Sequence, residues 1–344
     1  MCTGQSGRGA YTPMPYPNAN VIKDHDAFPG RHSRMASGSG ATVRRSLNMN
    51  EFVRVSNVIA GHDMSIGEAF RAKHFEEQVF GGLMDPVVML DHFHMTGPTF
   101  APHPHAGISA VTYVFEDAIG AHVNYDSLGN HVPINPGALH WFAAGRGAVH
   151  TEQPEGEGHH VHALQIFVNL PASKKFDAPY AVHVEPQDIP EFHTPGVRVR
   201  VVAGSSNGVQ AAHSAQLPEP FTLLDGFLSR SSDFSHDLPR GWNGMIYALS
   251  GELRVDIGGE VRQLIGGQAI SVALDKGAPK GRVEIRLTSD GDSHFVILSG
   301  PALNEPIAKQ GPMVMNTREQ LEDRIQAFQN GEFGQLVMPQ AARQ

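Results

Sequence analysis

Short stretches of alternating apolar and polar residues run through most of the chain after residue 50. Turn residues, mainly Gly, Pro and Asn, separate these stretches at the spacing expected between β-strands. The clearest stretches are "VTYVFED" (111–117), "LQIFVNL" (164–170), "VRVRVVAG" (197–204), "MIYALSGELRVDI" (245–257) and "VEIRLTSD" (283–290). The pattern predicts an all-β protein built as a sandwich or a barrel.

Helical periodicity is convincing mainly near the end of the chain, in "NTREQLEDRIQAFQNGEFG". Thr317 and Gln320 have the spacing of an N-terminal capping box, and Gly331 supplies a stop signal. We therefore expect a short C-terminal helix. The residues of its apolar face, which should serve packing, are Leu321, Ile325 and Phe328.

A weak internal repeat relates the two halves of the chain. The first copy, "AVTYVFEDAIGAHV" followed by "VPINPGALHW", is echoed by "GMIYALSGELRVDI" followed by "VRQLIGGQAISV". This repetition predicts two similar β-barrels in tandem, separated by the Pro-rich and polar segment 171–195. We expect an N-terminal barrel over residues 51–180 and a C-terminal barrel, with the helix, over residues 181–344.

The first 50 residues differ from the rest in composition. They contain six Lys or Arg and two acidic residues, many Gly, Pro and Ser, and little apolar periodicity, which predicts a mostly disordered leader. They lack the continuous apolar core of a secretory signal. The stretch "RMASGSGATVRRS" is compatible with a native flexible leader, a weak targeting sequence or an artificial linker, and we prefer an untargeted flexible leader.

Charge and composition exclude several classes of function. The net charge of −9 and the pI of about 6.1 argue against a broad basic face that binds nucleic acid. The chain has no apolar run of ~18 residues, so no membrane span is expected. Cys2 is the single cysteine, which excludes an internal disulfide and a cysteine-based zinc site. Histidine is unusually common, with 20 residues, so a bound metal would be held by imidazole and carboxylate groups.

Two short motifs contain the candidate chemistry. His103 and His105 lie two positions apart in "APHPHAGISA", and His150 and Glu152 do so in "AAGRGAVHTEQP". Since residues i and i+2 of a strand point to the same face, each pair can project into one barrel interior. Two such pairs on adjacent strands supply three imidazoles and one carboxylate. This donor set suits Fe(II), Mn, Ni or Cu and can leave positions open for substrate and oxygen.

Longer stretches around these motifs resemble a known family. "HPHAGISAVTYVFE", "NPGALHWFAAGRGAVHTEQP", "HALQIFVNLP" and "GPMVMNTREQLEDRIQAFQNGEFG" are closely similar to sequences of the pirin family, a branch of the cupin superfamily built from two β-barrels. The resemblance extends from about Val55 to Gly334. It implies a C-terminal barrel that has lost its site, and one metal ion, usually iron as Fe(II), in the N-terminal barrel. The implied ligands are His103, His105, His150 and Glu152.

The second half of the sequence agrees with a single site. When Tyr113 is aligned with Tyr247, Asp237 and Pro239 stand opposite the first histidine pair. No H-x-E motif occurs in the corresponding part of the second half. We therefore expect a metal-free second barrel and close to one metal ion per chain, and we interpret His294 as an ordinary strand residue.

One departure from the family concerns the residues just after the histidine pair. Many pirins have an arginine, an aromatic residue and a glutamate there, where this chain has Ala106, Ile108 and Ser109. The implied ligand set is intact. The surroundings of the metal differ, however, which bears on the substrate that the resemblance implies.

Several other residues allow two interpretations. His92 and His94 in "LDHFHM" alternate as in a strand, and they either support the site and its rim or, as we prefer, lie at the surface. His162 is expected to be a packed, hydrogen-bonded residue near the metal rather than a fifth ligand. Trp141 and Phe142 are expected to pack in the core rather than to stack on a substrate.

Two functions from different classes use the same four ligands. The resemblance implies a metal-dependent dioxygenase that opens a flavonol such as quercetin with O2, with Glu152 as a ligand and as the base that takes the hydroxyl proton. The alternative is a regulator that binds a transcription factor or a metabolic enzyme, with the redox state of the metal as a switch. We prefer the enzyme, and expect a cytoplasmic monomer without direct nucleic-acid or membrane binding.

Overall fold

β-strands make up most of the structure, a computed structural model that describes residues 51–336. The strands of the first half are β1 (Val53–Val55), β2 (Ile59–Ala60), β3 (His62–Ile66), β4 (Phe70–Glu76), β5 (Val87–Met95), β6 (His103–His105), β7 (Ile108–Val114), β8 (His122–Asp126), β9 (His131–Ile134), β10 (Leu139–Ala143), β11 (Ala148–Pro154), β12 (Val161–Asn169) and β13 (Tyr180–Val184). The strands of the second half are β14 (Glu191–Thr194), β15 (Val197–Ala203), β16 (Ser205–Ser206), β17 (Val209–Gln210), β18 (Thr222–Leu228), β19 (Ser232–Pro239), β20 (Trp242–Ser250), β21 (Glu252–Ile257), β22 (Glu260–Ile265), β23 (Gln268–Leu274), β24 (Arg282–Ser289), β25 (Ser293–Pro301), β26 (Ala308–Gln310) and β27 (Met313–Met315). The described helices are α1 (Arg318–Gln329) and three 3₁₀ helices, Glu77–Phe80, Pro186–Asp188 and Ala212–Gln216. The expected leader, residues 1–50, lies outside the described residues.

The N-terminal barrel consists of two antiparallel sheets. The larger sheet has the strand order β13-β10-β7-β12-β5-β4-β3, and the smaller sheet has the order β6-β11-β8-β9. In the smaller sheet β6 lies beside β11, with His103 opposite His150. The two strands that contain the sequence motifs are therefore neighbours, as expected.

The C-terminal barrel repeats this arrangement. Strands β23-β20-β25-β18 follow the order of β10-β7-β12-β5, and strands β19-β24-β21-β22 follow the order of β6-β11-β8-β9. Tyr113 on β7 and Tyr247 on β20 occupy matching strands, which is the alignment that the sequence repeat predicts. The prediction of an all-β fold with two tandem barrels and a short C-terminal helix is confirmed.

Edge strands near the start and the middle of the chain pair with the barrel that the other half of the chain forms. β1 and β2 pair with β23 of the C-terminal barrel, whereas β13 pairs with β10 of the N-terminal barrel. Strand pairing thus places residues 53–60 in the C-terminal sheet and residues 180–184 in the N-terminal sheet. The division between residues 180 and 181 stays a prediction about the two domains.

The central strands of the N-terminal barrel have two buried faces with different surroundings. Tyr113 on β7 and Leu164 on β12 belong to an apolar core that also contains Tyr247 of the C-terminal barrel. Because side chains alternate along a strand, the neighbouring residues Thr112 and Gln165 face the barrel interior, where Oγ1 of Thr112 lies 3.2 Å from Oε1 of Gln165. One face therefore joins the two barrels, and the other surrounds a polar interior.

Apolar side chains fill the interior of the C-terminal barrel. Val283, Ile285 and Leu287 of β24 are buried in its core. Asp237, which the sequence repeat sets opposite the first histidine pair, is half-exposed and forms an ion pair with Arg282 at 3.1 Å. The second barrel has apolar packing where the first barrel has polar side chains.

The helix α1 covers the N-terminal barrel, although it follows the C-terminal barrel in the chain. It begins as predicted after Thr317, whose Oγ1 accepts a hydrogen bond from the amide of Gln320 at 3.2 Å. Leu321 is buried in an apolar cluster with Ala106 and Val149 of the N-terminal barrel, so the predicted packing face is confirmed. Within residues 51–336 no helix has the length and apolarity needed to cross a membrane.

Candidate metal centre

Three imidazoles meet in the interior of the N-terminal barrel. β6 supplies His103 and His105, β11 supplies His150, and one ring nitrogen of each lies within 4.8 Å of the others. The Nε2 atoms of His105 and His150 are 2.8 Å apart. His105 and His150 are buried, whereas His103 is only half-buried. The structure thus brings these predicted site residues together and leaves one side of the group near the surface.

The other ring nitrogen of each histidine faces an oxygen that can only accept a hydrogen bond. Nδ1 of His103 lies 2.9 Å from a backbone carbonyl oxygen, and Nδ1 of His105 lies 3.3 Å from the carbonyl oxygen of Pro312. Nδ1 of His150 lies 3.3 Å from Oδ1 of Asn124. The amide nitrogen of Asn124 donates to the carboxylate of Asp126, which fixes Oδ1 as the atom that faces His150. In the neutral rings Nδ1 therefore carries the proton and Nε2 keeps its lone pair, which is the form that binds a metal.

This arrangement fits a metal ion. Burial, and then repulsion by the neighbouring imidazoles, lowers the pKa of His105 and of His150 well below the ordinary value, so both rings are neutral. Two lone pairs that face each other at 2.8 Å repel unless a cation lies between them. Imidazole nitrogens are preferred ligands of divalent transition metals, so such an ion matches the group.

Glu152 lies on the same face of β11 as His150, but its carboxylate has other partners. Oε2 accepts a hydrogen bond of 2.6 Å from Oγ1 of Thr112 and lies 3.7 Å from Nε2 of His122. Oε1 is 3.9 Å from Nδ1 of His150. In this group, the donor atoms that lie within 4.8 Å of one another are those of the three imidazoles and not this carboxylate, so its role as the fourth ligand stays a prediction.

Burial makes the carboxyl group of Glu152 a weaker acid than usual. It raises the pKa of the carboxyl group from 4.5 to about 7, against the hydrogen bond from Thr112, which lowers it. A carboxyl group with such a pKa can both accept and release a proton near neutral pH. The arrangement therefore combines a set of metal donors with a group suited to proton transfer.

Sequence reasoning missed the residues around the carboxylate. His122 and Asn124 lie two positions apart on β8, and the alternation rule applied to "HVNYD" would have placed both on one face of their strand. Their position beside β11 depends on strand pairing, which that rule does not give. Thr112 sits within an apolar stretch of β7 and gives no such signal. Pro312 is 207 residues from His105 in sequence, and no local pattern predicts their contact.

Trp141 and Phe142, the two aromatic residues of β10, have different contacts. Trp141 is buried in the core shared by the barrels, with 5.3 Å between the centres of its ring and that of Phe221. Phe142 faces the barrel interior and stacks on His150 at 5.0 Å. Core packing is confirmed for Trp141, whereas Phe142 is buried and also contacts the histidine group.

Comparison with known proteins assigns the chain to a family. A family model described as pirin matches residues 59–168, and one described as the pirin C-terminal cupin domain matches residues 223–334. The pirin of Rattus norvegicus is 32% identical over 259 residues, which cover 73% of this chain and 84% of that protein. The chain belongs to the pirin family.

Other relatives of this pirin carry the name of an enzyme. A Pseudomonas aeruginosa protein, provisionally named quercetin 2,3-dioxygenase, is 31% identical over 297 residues, which cover 82% of this pirin and 99% of that protein. The crystal structure of a quercetin 2,3-dioxygenase from Acinetobacter baumannii matches with a TM-score of 0.71 and 27% identity, over 83% of this chain and 100% of that one. The first family model covers the strands that hold the three imidazoles.

This pirin also has a second group of three histidines, formed by His92 and His94 on β5 and His162 on β12. The strand register sets His162 opposite His94. His162 lies on the same strand face as Leu164, which points into the core between the barrels, and Gln165 faces the opposite way. The expectation that His162 lies near the first group is therefore wrong, because the sheet separates the two.

The second group also contains neutral imidazoles. Burial, and then repulsion by His162, lowers the pKa of His92 to about 3 and that of His94 to about 4. His94 is exposed, as expected, but His92 is half-buried at the junction with the C-terminal barrel, where it contacts Tyr247. The two residues thus differ from the expected simple surface pair.

Proposed function

We propose that this pirin is a metal-dependent dioxygenase that acts in the cytoplasm on a flavonol such as quercetin, with O2 as the second substrate. The observation that supports the proposal most directly is a group of three imidazoles with fixed tautomers beside a buried carboxylate. Relatives with the name quercetin 2,3-dioxygenase support the substrate class. The half-buried position of His103 supports an approach of the substrate from that side of the group.

Four residues are proposed to hold the metal: His103, His105, His150 and Glu152. Three nitrogen donors and one carboxylate suit Fe(II), which we prefer, and also Mn, Ni or Cu. A metal ion bound here would supply a Lewis acid that polarises the hydroxyl and keto oxygens of a flavonol.

Glu152 is the proposed catalytic base. Its Oε2 is held by Thr112, which leaves Oε1 to accept the proton of the flavonol 3-hydroxyl group. Phe142 stacks on His150, and Phe167 packs edge-on against His105 at 5.1 Å. These apolar contacts hold the imidazoles in place and keep water away from the buried side of the group.

A Glu152→Gln variant tests the base. We expect the variant, reloaded with metal, still to bind a flavonol but to turn it over about 10²- to 10⁴-fold more slowly, because an amide cannot accept the hydroxyl proton. Turnover is measured as O2 uptake with a flavonol panel, after anaerobic purification and metal analysis. A metal-replete variant with full activity would show that Glu152 is not the base, and activity that falls only in proportion to lost metal would make it a ligand alone.

The same assay separates the enzyme from the regulator. Metal-replete wild-type protein that turns over no flavonol would favour the regulatory alternative, in which this pirin binds a transcription factor or a metabolic enzyme.

A further inference from the structure

The second histidine group lies on the outer face of the larger N-terminal sheet, at the junction with the C-terminal barrel. We propose that His92, His94 and His162 form a second metal site, which binds a divalent ion such as Zn²⁺. One ring nitrogen of each lies within 4.8 Å of the others. Zinc commonly binds three imidazoles with a solvent molecule in its fourth position, so three histidines and an open side are sufficient.

The closest pair in this group matches the closest pair of the first group. Nε2 of His92 lies 2.7 Å from Nε2 of His162, and the corresponding distance between His105 and His150 is 2.8 Å. In both pairs the two Nε2 atoms come from neighbouring strands of one sheet and point at one another. The pair His92 and His162 therefore has the same arrangement of nitrogen donors as the pair His105 and His150.

His92 and His162 each have a hydrogen-bond partner that orients the ring for metal binding. Nδ1 of His162 lies 2.7 Å from Oδ1 of Asp117, and since a carboxylate only accepts, this Nδ1 carries the proton and Nε2 keeps its lone pair. Nδ1 of His92 lies 2.6 Å from Oη of Tyr247. The tyrosine hydroxyl can accept from His92, which frees Nε2 of His92 for the metal. A carboxylate or hydroxyl behind each imidazole is the arrangement that orients metal-binding histidines.

The group is also accessible. His94 is exposed, and its ring stacks on that of His162 with 4.3 Å between the ring centres. Nδ1 of His94 lies 3.1 Å from Nε2 of His160, which is exposed as well and offers a further nitrogen beside the three. An ion can therefore reach the group from solvent, without passing through either barrel.

Without a metal, the same atoms form a hydrogen-bonded chain. Tyr247 then donates to Nδ1 of His92, Nε2 of His92 donates to Nε2 of His162, and His162 donates to Asp117. The two states differ in the tautomer of His92, which carries its proton on Nδ1 in the metal-bound state and on Nε2 in the chain, and in the direction of its bond with Tyr247. A measurement of metal binding separates them.

The test is a titration of metal-free, full-length protein with Zn²⁺ in competition with a chromophoric chelator. Wild-type protein is expected to bind two equivalents, one in each group, rather than the single equivalent that the sequence motifs predict. Two variants should bind only one: His92→Ala with His162→Ala, and the single change His94→Ala. The single change lies at the surface and removes no buried side chain, so it should leave the fold intact.

A matched control and a spectroscopic measurement complete the design. A His131→Ala, His193→Ala variant loses two exposed histidines outside the group and should still bind two equivalents. In a His103→Ala, His105→Ala background, Co²⁺ should give the visible absorption of a four-coordinate ion, and His94→Ala should abolish it. Asp117→Ala and Tyr247→Phe should weaken this remaining site by about 10- to 100-fold, because each removes a partner that orients a ligand.

A single tight equivalent of Zn²⁺ in the wild type would overturn the proposal and leave the hydrogen-bonded chain as the role of these residues. Two equivalents that persist in both the His94→Ala and the His92→Ala, His162→Ala variants would also overturn it, since the second ion would then be bound elsewhere. Neither result depends on flavonol turnover, so the proposed enzyme is tested separately.

Discussion

The hydrogen bond between Thr112 and Glu152 joins the two sheets of the N-terminal barrel, because Thr112 lies on β7 and Glu152 on β11. Both side chains are buried. The bond fixes one carboxylate oxygen beside the three imidazoles and thereby limits the orientations open to the other oxygen. At the scale of single residues, Thr112 is therefore expected to position the carboxylate for metal binding.

Thr112→Val tests this role, since it preserves the shape of the side chain and removes the hydroxyl group. We expect the affinity for the metal to fall about 10- to 100-fold, the usual effect of losing a partner that orients a metal ligand. The measurement is competition with a chelator in the variant lacking the second histidine group, His92→Ala with His162→Ala, so that only the first site is observed.

Thr151→Val in the same background is the matched control. Thr151 is as deeply buried as Thr112 and lies next to Glu152 in the chain, but its hydroxyl donates to the carbonyl oxygen of Phe100 at 2.9 Å. Equal losses of affinity in both variants would assign the effect to general packing. An unchanged affinity in Thr112→Val would show that Glu152 needs no orienting partner.

At the scale of elements, the position of α1 links the end of the described chain to the N-terminal barrel. The helix packs on the N-terminal barrel through the cluster of Leu321 with Ala106 and Val149, and Nη1 of Arg324 donates to the carbonyl oxygen of Arg146 at 3.0 Å. Both contacts lie next to β6 or β11, the strands that hold the imidazoles. The helix therefore supports these strands from outside the barrel.

Leu321→Ala should lower the free energy of unfolding by about 2 to 3 kcal/mol, because it removes a buried side chain and leaves a cavity. Denaturant unfolding of the full chain measures the change. Glu322→Ala, on the exposed face of the same helix, should alter the free energy by less than about 0.5 kcal/mol. Similar values for the two variants would mean that α1 contributes little through its apolar face.

The sequence predicts elements well where a local period determines them. The alternation rule predicted the strands and the two candidate metal motifs, and the capping pair at Thr317 predicted the start of α1. Strand partners are set by long-range register, which no period encodes. For this reason the pairing of His94 with His162 was missed, and so was the packing of α1 on the first barrel rather than on the second.

At the scale of the whole molecule, the two barrels share one apolar core. Tyr113 and Tyr247, from opposite barrels, both belong to it. The hydroxyl of Tyr113 donates to Asp225 at 2.7 Å and accepts from Nη1 of Arg200 at 2.6 Å, and both partners lie in the C-terminal barrel. Because of these shared contacts, residues 51–336 are expected to unfold in a single cooperative transition.

Chelation should lower the melting temperature of this transition without unfolding the protein at room temperature. A metal ion present at about 100 times its Kd stabilises the folded state by about 2.7 kcal/mol, which its removal would abolish. The large apolar core does not need the ion to fold, in contrast to a small zinc finger. Circular dichroism before and after chelation measures both effects, and complete loss of the β-sheet signal at room temperature would contradict the prediction.

The contact between His105 and Pro312 sets a condition on how the protein is made. The carbonyl oxygen that orients His105 is synthesised 207 residues after it, so at ~5–20 residues per second the ribosome adds it roughly 10 to 40 s later. During this interval the N-terminal strands can pair, but His105 lacks the acceptor that fixes its tautomer. The three histidines therefore have all their orienting partners only after both barrels have left the ribosome, and a metal ion supplied during translation would meet an unfinished group.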